Sequence, residues 1–166
     1  MHYSNRNTMK LHLLRHGKTH QHSDSGRDFD RKLNAKGLAQ CDLLGDYFTA
    51  KEFDCEAWCS GAVRTRETFT QVAEKVDLGS VVMREDLYLC SRAVMLEALW
   101  ARPGSDDLLI VGHNFGISDL ATYLTDERIE LSTGGYICIS FDGMSWEEIS
   151  RGTGTIWDQY RPMVTL

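Results

Sequence analysis

Two histidines and two arginines in this chain have the types and placement of a nucleophile with an anion cradle. Arg15-His16-Gly17-Lys18-Thr19 closes one short apolar run, Gly112-His113-Asn114 closes another, and Arg64 opens the stretch after a third. A neutral imidazole near pH 7 is a competent nucleophile and can carry a phosphoryl group. Guanidinium groups give planar forks of donors to phosphoryl oxygens, and their charge does not titrate away. A second histidine can donate to the same oxygens as negative charge shifts in the transition state. Gly17 lets the backbone turn closely around an anion. Taken singly, each residue has a plainer reading. A histidine after a strand can be a satisfied polar group, and Arg64 beside Arg66 and Glu67 can be a solvated helix face. The combination and its order point to phosphate, while Lys18 and His20 read equally well as solvated.

These side chains meet only if several strands end side by side. Residues 9–14 (MKLHLL) predict a short buried strand. Asn34 is placed to cap a helix over 35–50, with Leu38, Cys41, Leu44, Gly45 and Phe48 on one face. Residues 53–60 read as a second strand, and Val63, Phe69, Val72, Ala73 and Val76 mark the amphipathic helix after it. A strand over 81–84, a helix over 93–101 stopped by Pro103-Gly104, the very apolar strand 108–112 and a helix over 115–124 follow. Residues 136–141, the Asp142-Gly143 turn and residues 146–149 predict a β-hairpin. The alternation up to residue 125 implies βαβ units around a largely parallel sheet, with antiparallel additions at the end. Ligands of such sheets bind beyond the carboxyl ends of the strands, where both histidines fall.

The 166 residues suffice for one core; residues 1–8, polar and without periodicity, are expected to be a flexible leader to a single domain over 9–166. A hydrophobic share of 42% with 25% charged residues and two prolines reads as globular. The net charge of −6 argues against nucleic acid or an anionic membrane as partner. No stretch has the length of a membrane span or the apolar core of an export signal, so a cytoplasmic location is expected. Five cysteines, odd in number and spread out, read as free thiols. Cys55 and Cys59 lack the second pair that a zinc site needs. The four tryptophans are expected to be packing residues.

Four segments, in order, carry a resemblance to a known family. LLRHGKT (13–19) resembles the defining motif of the histidine phosphatase superfamily, also called phosphoglycerate mutase-like. DFDRKLNAKG (28–37) is similar to its D-x-x-R-x-L-x-x-x-G segment, SGAVRTRET (60–68) to S-P-x-x-R-x-x-x-T, and VGHNFGISDL (111–120) to its second-histidine motif. The short length and the tail over 152–164 look most like bacterial SixA-type phosphohistidine phosphatases. The resemblance implies a three-layer α/β/α sandwich with a mostly parallel mixed sheet, and no metal or other cofactor. It implies His16 as nucleophile, Arg15, Arg64 and His113 as the phosphate pocket and Arg31 at its rim; Asn114, next to His113, is expected as a further phosphate-binding residue. The activity implied is a phosphohydrolase with a phosphohistidine intermediate. Its substrate would be phosphohistidine in a protein or, alternatively, a small phosphomonoester.

Two departures bear on mechanism. Gly61 stands where the family has proline, which removes no chemical group. The Glu that larger relatives use as general acid aligns with Leu89, and the nearby Glu85 and Asp86 are the candidates to protonate a leaving oxygen in its place. A phosphoramidate leaves more easily than an alkoxide once protonated, so a weak enzyme acid fits phosphohistidine. His113 follows Arg64 by only 49 positions, which leaves little chain for a lid over small substrates. Two rivals stand beside this reading. A cysteine phosphatase would need an Arg at a fixed spacing from Cys59, which neither Arg64, five positions on, nor Arg66, seven on, matches. A catalytically idle module could bind phosphorylated partners on the same fold.

Overall fold

Residues 7–165 are described by the structure, a computed structural model. The expected leader lies outside them except for Asn7 and Thr8, and Thr8 already begins strand β1 (Thr8–Arg15). Helix α1 (Ala35–Phe48) follows, then β2 (Glu56–Ser60), α2 (Val63–Ala73), β3 (Val81–Arg84) and α3 (Arg92–Trp100). The chain continues through β4 (Leu108–Gly112), α4 (Gly116–Thr125), β5 (Tyr136–Asp142) and β6 (Thr155–Tyr160). The strands form one six-stranded sheet in the order β3-β2-β4-β1-β5-β6. Its first four strands are parallel; β5 runs antiparallel to β1, and β6 antiparallel to β5.

The layers follow from handedness. The β1→β2→β3 crossovers both move toward the same sheet edge, whereas β3→β4 moves back, so right-handed connections put α1 and α2 on one face and α3 on the other. The burial clusters match this division. Leu14, Ala57, Cys59, Leu109 and Val111 pack under Cys41, Leu44, Phe48, Phe69 and Val72. The alternate strand residues Leu11, Leu13, Trp58, Leu108 and Ile110 pack under Met95, Leu96, Leu99, Ile117 and Leu120. Both β1 and β4 are thus buried on two sides, which is why they read as continuous apolar runs. The α/β/α sandwich and its mixed, mostly parallel sheet agree with the expectation.

Local signals explain the element boundaries. The Asn34 side chain accepts from the Gly37 N–H at 2.9 Å and starts α1 where its capping role predicts. Leu38 is 45% exposed, however; Gly37 and Gln40 take the buried face in its place. Gly37 must lack a side chain there, because a Cβ would overlap the Lys18 carbonyl oxygen. The expected hairpin partner of β5 is wrong. Trp146–Glu148 is a 3-10 turn, held by a capping box of Ser145 and Glu148, and β6 is the pairing strand. Trp146 is fully buried and its indole donates to the Asp106 carbonyl, so its apolar spacing reflects core packing rather than a strand. Trp58 is also buried, but Trp100 and Trp157 are exposed at 41% and 63%, against the expectation for all four.

Candidate active site

The β1/β4 register determines where the histidines emerge. Arg15 lies opposite Gly112 in this parallel pair, so the next residue of each strand, His16 and His113, leaves the sheet beside the other. Their ring centroids are 5.3 Å apart at 57°. Ser60, at the end of β2, brings α2 and Arg64 to the same edge. His16, His113 and Arg64 are only 7%, 4% and 2% exposed, so three polar side chains are buried together at the strand ends.

The tautomer of His16 is set by its own neighbour. Nδ1 of His16 lies 2.7 Å from the Gly17 carbonyl oxygen, which can only accept, so Nδ1 carries the proton and Nε2 keeps its lone pair. Burial, followed by the charges of Arg64, Arg15 and Arg31, lowers the His16 pKa to about 4 despite the Gly17 hydrogen bond. The ring is neutral near pH 7, as nucleophilic attack requires. Gly17 is itself anchored, since its N–H donates to Thr68 Oγ1 at 3.0 Å. The Thr68 hydroxyl in turn donates to the Arg64 carbonyl.

His113 is neutral as well, its pKa lowered to about 3 by burial and then by His16 and Arg64. Its Nε2 sits 2.7 Å from Ser60 Oγ. With the Ser60 hydroxyl donating, Nδ1 becomes the N–H donor. Among the described residues, three buried side-chain N or O atoms have no hydrogen-bond partner: Arg15 Nε, Arg64 Nε and His113 Nδ1. Leaving such donors unpaired costs about 1–3 kcal/mol each, more for charged groups, which is an unusual expense for a structural core. All three belong to residues singled out by sequence, and an anion beside His16 is the ligand that matches them.

Three of the four remaining guanidinium nitrogens of Arg15 and Arg64 make hydrogen bonds that position them. Arg15 Nη1 donates to the Leu131 carbonyl at 2.9 Å. Arg64 Nη1 and Nη2 donate to the Asp28 carbonyl and to Asp28 Oδ2, at 2.8 and 2.9 Å. Asp28 also accepts from Arg31 Nε at 2.9 Å and from the Tyr88 hydroxyl at 2.5 Å. Its partial burial would raise its pKa, but the hydrogen bonds from Tyr88 and Arg64 prevail and hold it at about 2. Tyr88 also meets the His113 ring edge-on at 5.5 Å and lies 5.8 Å from the Arg64 guanidinium. Arg31 reaches Thr19 and the His20 carbonyl, at the rim, where its charge acts on His16.

Three sequence candidates do not join this group. Both ends of the Asn114 amide are engaged, donating to the Leu131 carbonyl and accepting from Ser118, so it orders the loop beside Arg15. Asp86 takes two hydrogen bonds from Arg84, which hold it below the usual carboxylate range. Glu85 and Asp86 line a hollow beside β3 with Trp58 and Arg102, a hollow that neither histidine lines. Leu89, aligned with the missing acid, is exposed and has a left-handed φ of 48°. The cysteine rival meets a physical obstacle: burial pushes the Cys59 thiol up to about 12, and it donates to the Ser60 carbonyl.

Sequence reasoning gave no role to Asp28, Ser60, Thr68 or Tyr88. The first three stand inside the family-like segments and could have been carried over with them. Tyr88 lies in none, and only the tertiary structure sets it against His113.

The fold and the strand-end cluster together define an α/β protein with two buried, neutral histidines and two arginines gathered at one edge of its sheet. Residues 11–88 match the model of the histidine phosphatase superfamily (branch 1). Its fold is that of structures described as SixA. The Nakamurella multipartitia protein has a TM-score of 0.82 and 21% identity, with 97% of this chain and 100% of that one covered. The Agrobacterium tumefaciens protein has a TM-score of 0.78 and 21% identity, covering 93% and 98%. The protein histidine phosphatase SixA complexed with tungstate has a TM-score of 0.76 and 19% identity, covering 91% and 96%. An uncharacterized chloroplastic protein of Arabidopsis thaliana is 25% identical over 154 residues, covering 84% of this chain and 69% of that protein. Among the described residues no helix is long and apolar enough to cross a membrane.

Proposed function

We propose that this protein is a phosphohydrolase that passes the phosphoryl group through His16 and acts on phosphohistidine carried by a protein. The observation that supports this most directly is the set of three unpartnered buried nitrogens on Arg15, Arg64 and His113 around a neutral His16. A structurally similar SixA is complexed with tungstate, a phosphate-like oxyanion, which fits an anion-binding fold.

In the first step the His16 Nε2 lone pair attacks phosphorus, a P–N bond to Nε2 forms, and the P–N bond to the substrate imidazole breaks. Arg15 Nε, Arg64 Nε and His113 Nδ1 hold the phosphoryl oxygens as charge redistributes. A substrate imidazole protonated by solvent at its other nitrogen leaves as a neutral ring, so this step requires no acid from the enzyme. That matches a cluster in which the carboxylate bonded to Arg64, Asp28, is held at about 2. In the second step water attacks phosphorus, the bond to Nε2 breaks, and inorganic phosphate and neutral His16 are restored. An alkoxide leaving group would need a proton donor that this cluster does not provide. The free thiols of all five cysteines accord with a reducing, cytoplasmic setting.

Labelling with a phosphohistidine peptide tests the reading. Wild-type protein should form an acid-labile phosphoenzyme that is missing in His16→Ala, and should prefer this peptide over a phosphoserine peptide. Preference for the ester would overturn the substrate assignment. Phosphate binding without labelling would make the chain a binding module.

A further inference from the structure

Arg15 belongs to two places at once. Its Nε is one of the unpartnered nitrogens of the anion pocket, and its guanidinium also lines a surface groove of about 540 Å³. One wall of this groove is Phe115, which is 81% exposed two residues after His113. The other is the segment around Leu131, whose carbonyl Arg15 holds, together with Arg161. Arg128 in the same wall is paired with Glu130 at 2.8 Å, whereas Arg161 makes no ion pair or side-chain hydrogen bond among the described residues. Asp119 is the remaining acidic side chain of the groove.

The occupant follows from continuity and size. The groove opens from the residue that would grip the phosphoryl group, so what fills it is attached to that group. Its volume exceeds what a free phosphate or single imidazole fills and falls in the range of organic-ligand sites. Sites for small molecules enclose most of the ligand, yet here the aromatic ring at the mouth stays open to solvent, so whatever covers Phe115 extends past the groove. A single exposed aromatic beside a pocket is a typical anchor for a partner's apolar side chain. Arg161 offers an uncommitted cation on a chain of net charge −6, which favours an acidic group at this point and few others.

We propose that this groove receives the polypeptide flanking the phosphorylated residue of a protein substrate, with an apolar side chain against Phe115 and an acidic one against Arg161. The inference rests on the phosphohydrolase reading and deepens it: the flanking segment, in addition to the phosphoryl group, selects the substrate.

The experiment compares phosphohistidine peptides, with a Glu scanned along the flanking positions, against phosphoramidate, which cannot reach the groove. Arg161→Glu should raise KM for the best Glu peptide about tenfold with kcat nearly unchanged, and leave phosphoramidate turnover as in wild type. Replacing that Glu by Lys should reverse the preference, so that Arg161→Glu binds the Lys peptide better than wild type does. Phe115→Ser should raise KM for peptides with an apolar flank only. Peptide KM unaltered in both variants, or an equal loss on phosphoramidate, would overturn the proposal. Should the wild type hydrolyse neither substrate, the phosphohydrolase reading falls. The groove is then decided by the Kd of a peptide bearing a non-hydrolysable phosphohistidine analogue: loss in Arg161→Glu with recovery by the Lys peptide upholds it, and equal Kd values overturn it.

Discussion

His113 Nε2 and Ser60 Oγ lie 2.7 Å apart across the ends of β4 and β2, a contact that orients the second imidazole, whose Nδ1 has no hydrogen-bond partner. Ser60→Ala removes the partner and leaves a buried ring nitrogen unsatisfied. We expect a stability loss of about 1–2 kcal/mol and a fall in kcat of about tenfold, with KM nearly unchanged. Urea unfolding and steady-state kinetics with a phosphohistidine peptide measure the two effects. An unaltered kcat would remove Ser60 from the positioning of His113.

Asp28 organises one side of the pocket, accepting from Arg64, Arg31 and Tyr88. In Asp28→Asn one accepting oxygen becomes a donor that faces donors. Arg64 should lose its fixed orientation, and kcat/KM should fall by about ten- to a hundredfold. Because this carboxylate is part exposed, with its side chain 44% accessible, Tm should move little. Its depressed pKa contributes stability that is present above the usual carboxylate range and lost as pH falls toward about 2. Asp28→Asn should flatten that acid limb.

The three buried histidines determine a second pH response. Burial lowers His12 and His16 to about 4 and His113 to about 3. The unfolded chain, with histidines near 6.5, therefore binds more protons than the folded one between those values, so stability falls as pH drops from about 6.5 toward 4. His12, whose Nδ1 lies 2.7 Å from the Tyr136 hydroxyl far from the nucleophile, separates structure from catalysis. His12→Gln should lessen the loss of stability below pH 6.5 while leaving the pH profile of kcat/KM in place. An unchanged stability profile would contradict the neutral buried His12.

Thiol reagents provide a further check. Burial raises Cys41, Cys55, Cys59 and Cys138 to about 12 and Cys90 to about 11. Iodoacetamide at neutral pH should react slowly and leave turnover intact. Rapid inactivation with the fold preserved would reopen the cysteine mechanism.

Gly37→Ala probes the link between α1 and the nucleophile loop. The added methyl would meet the Lys18 carbonyl, part of backbone that follows His16 and Gly17. Destabilisation of about 3 kcal/mol is expected, together with loss of activity. Thermal unfolding and kinetics read both, and a stable, active variant would show that the loop can move aside.

The sequence alone determined the elements whose signals are local. Asn34 as a cap, the apolar runs of β1 and β4 and the helical spacing of Cys41, Leu44 and Phe48 depend on near neighbours, and each is found where the pattern puts it. The convergence of Arg15, His16, Arg64 and His113 was legible for a related reason: each lies at or just after the end of a strand, and parallel strands end side by side. The hairpin misreading shows the limit. Core packing of Trp146 imitates strand periodicity, and only the pairing of β5 with β6 distinguishes them. What tertiary structure decided was which atoms face the pocket. Ser60 meets His113 across 53 positions, and Tyr88 meets Asp28 across 60. Strand register and right-handed crossovers bring such residues together, and no local periodicity encodes a contact between groups so distant along the chain.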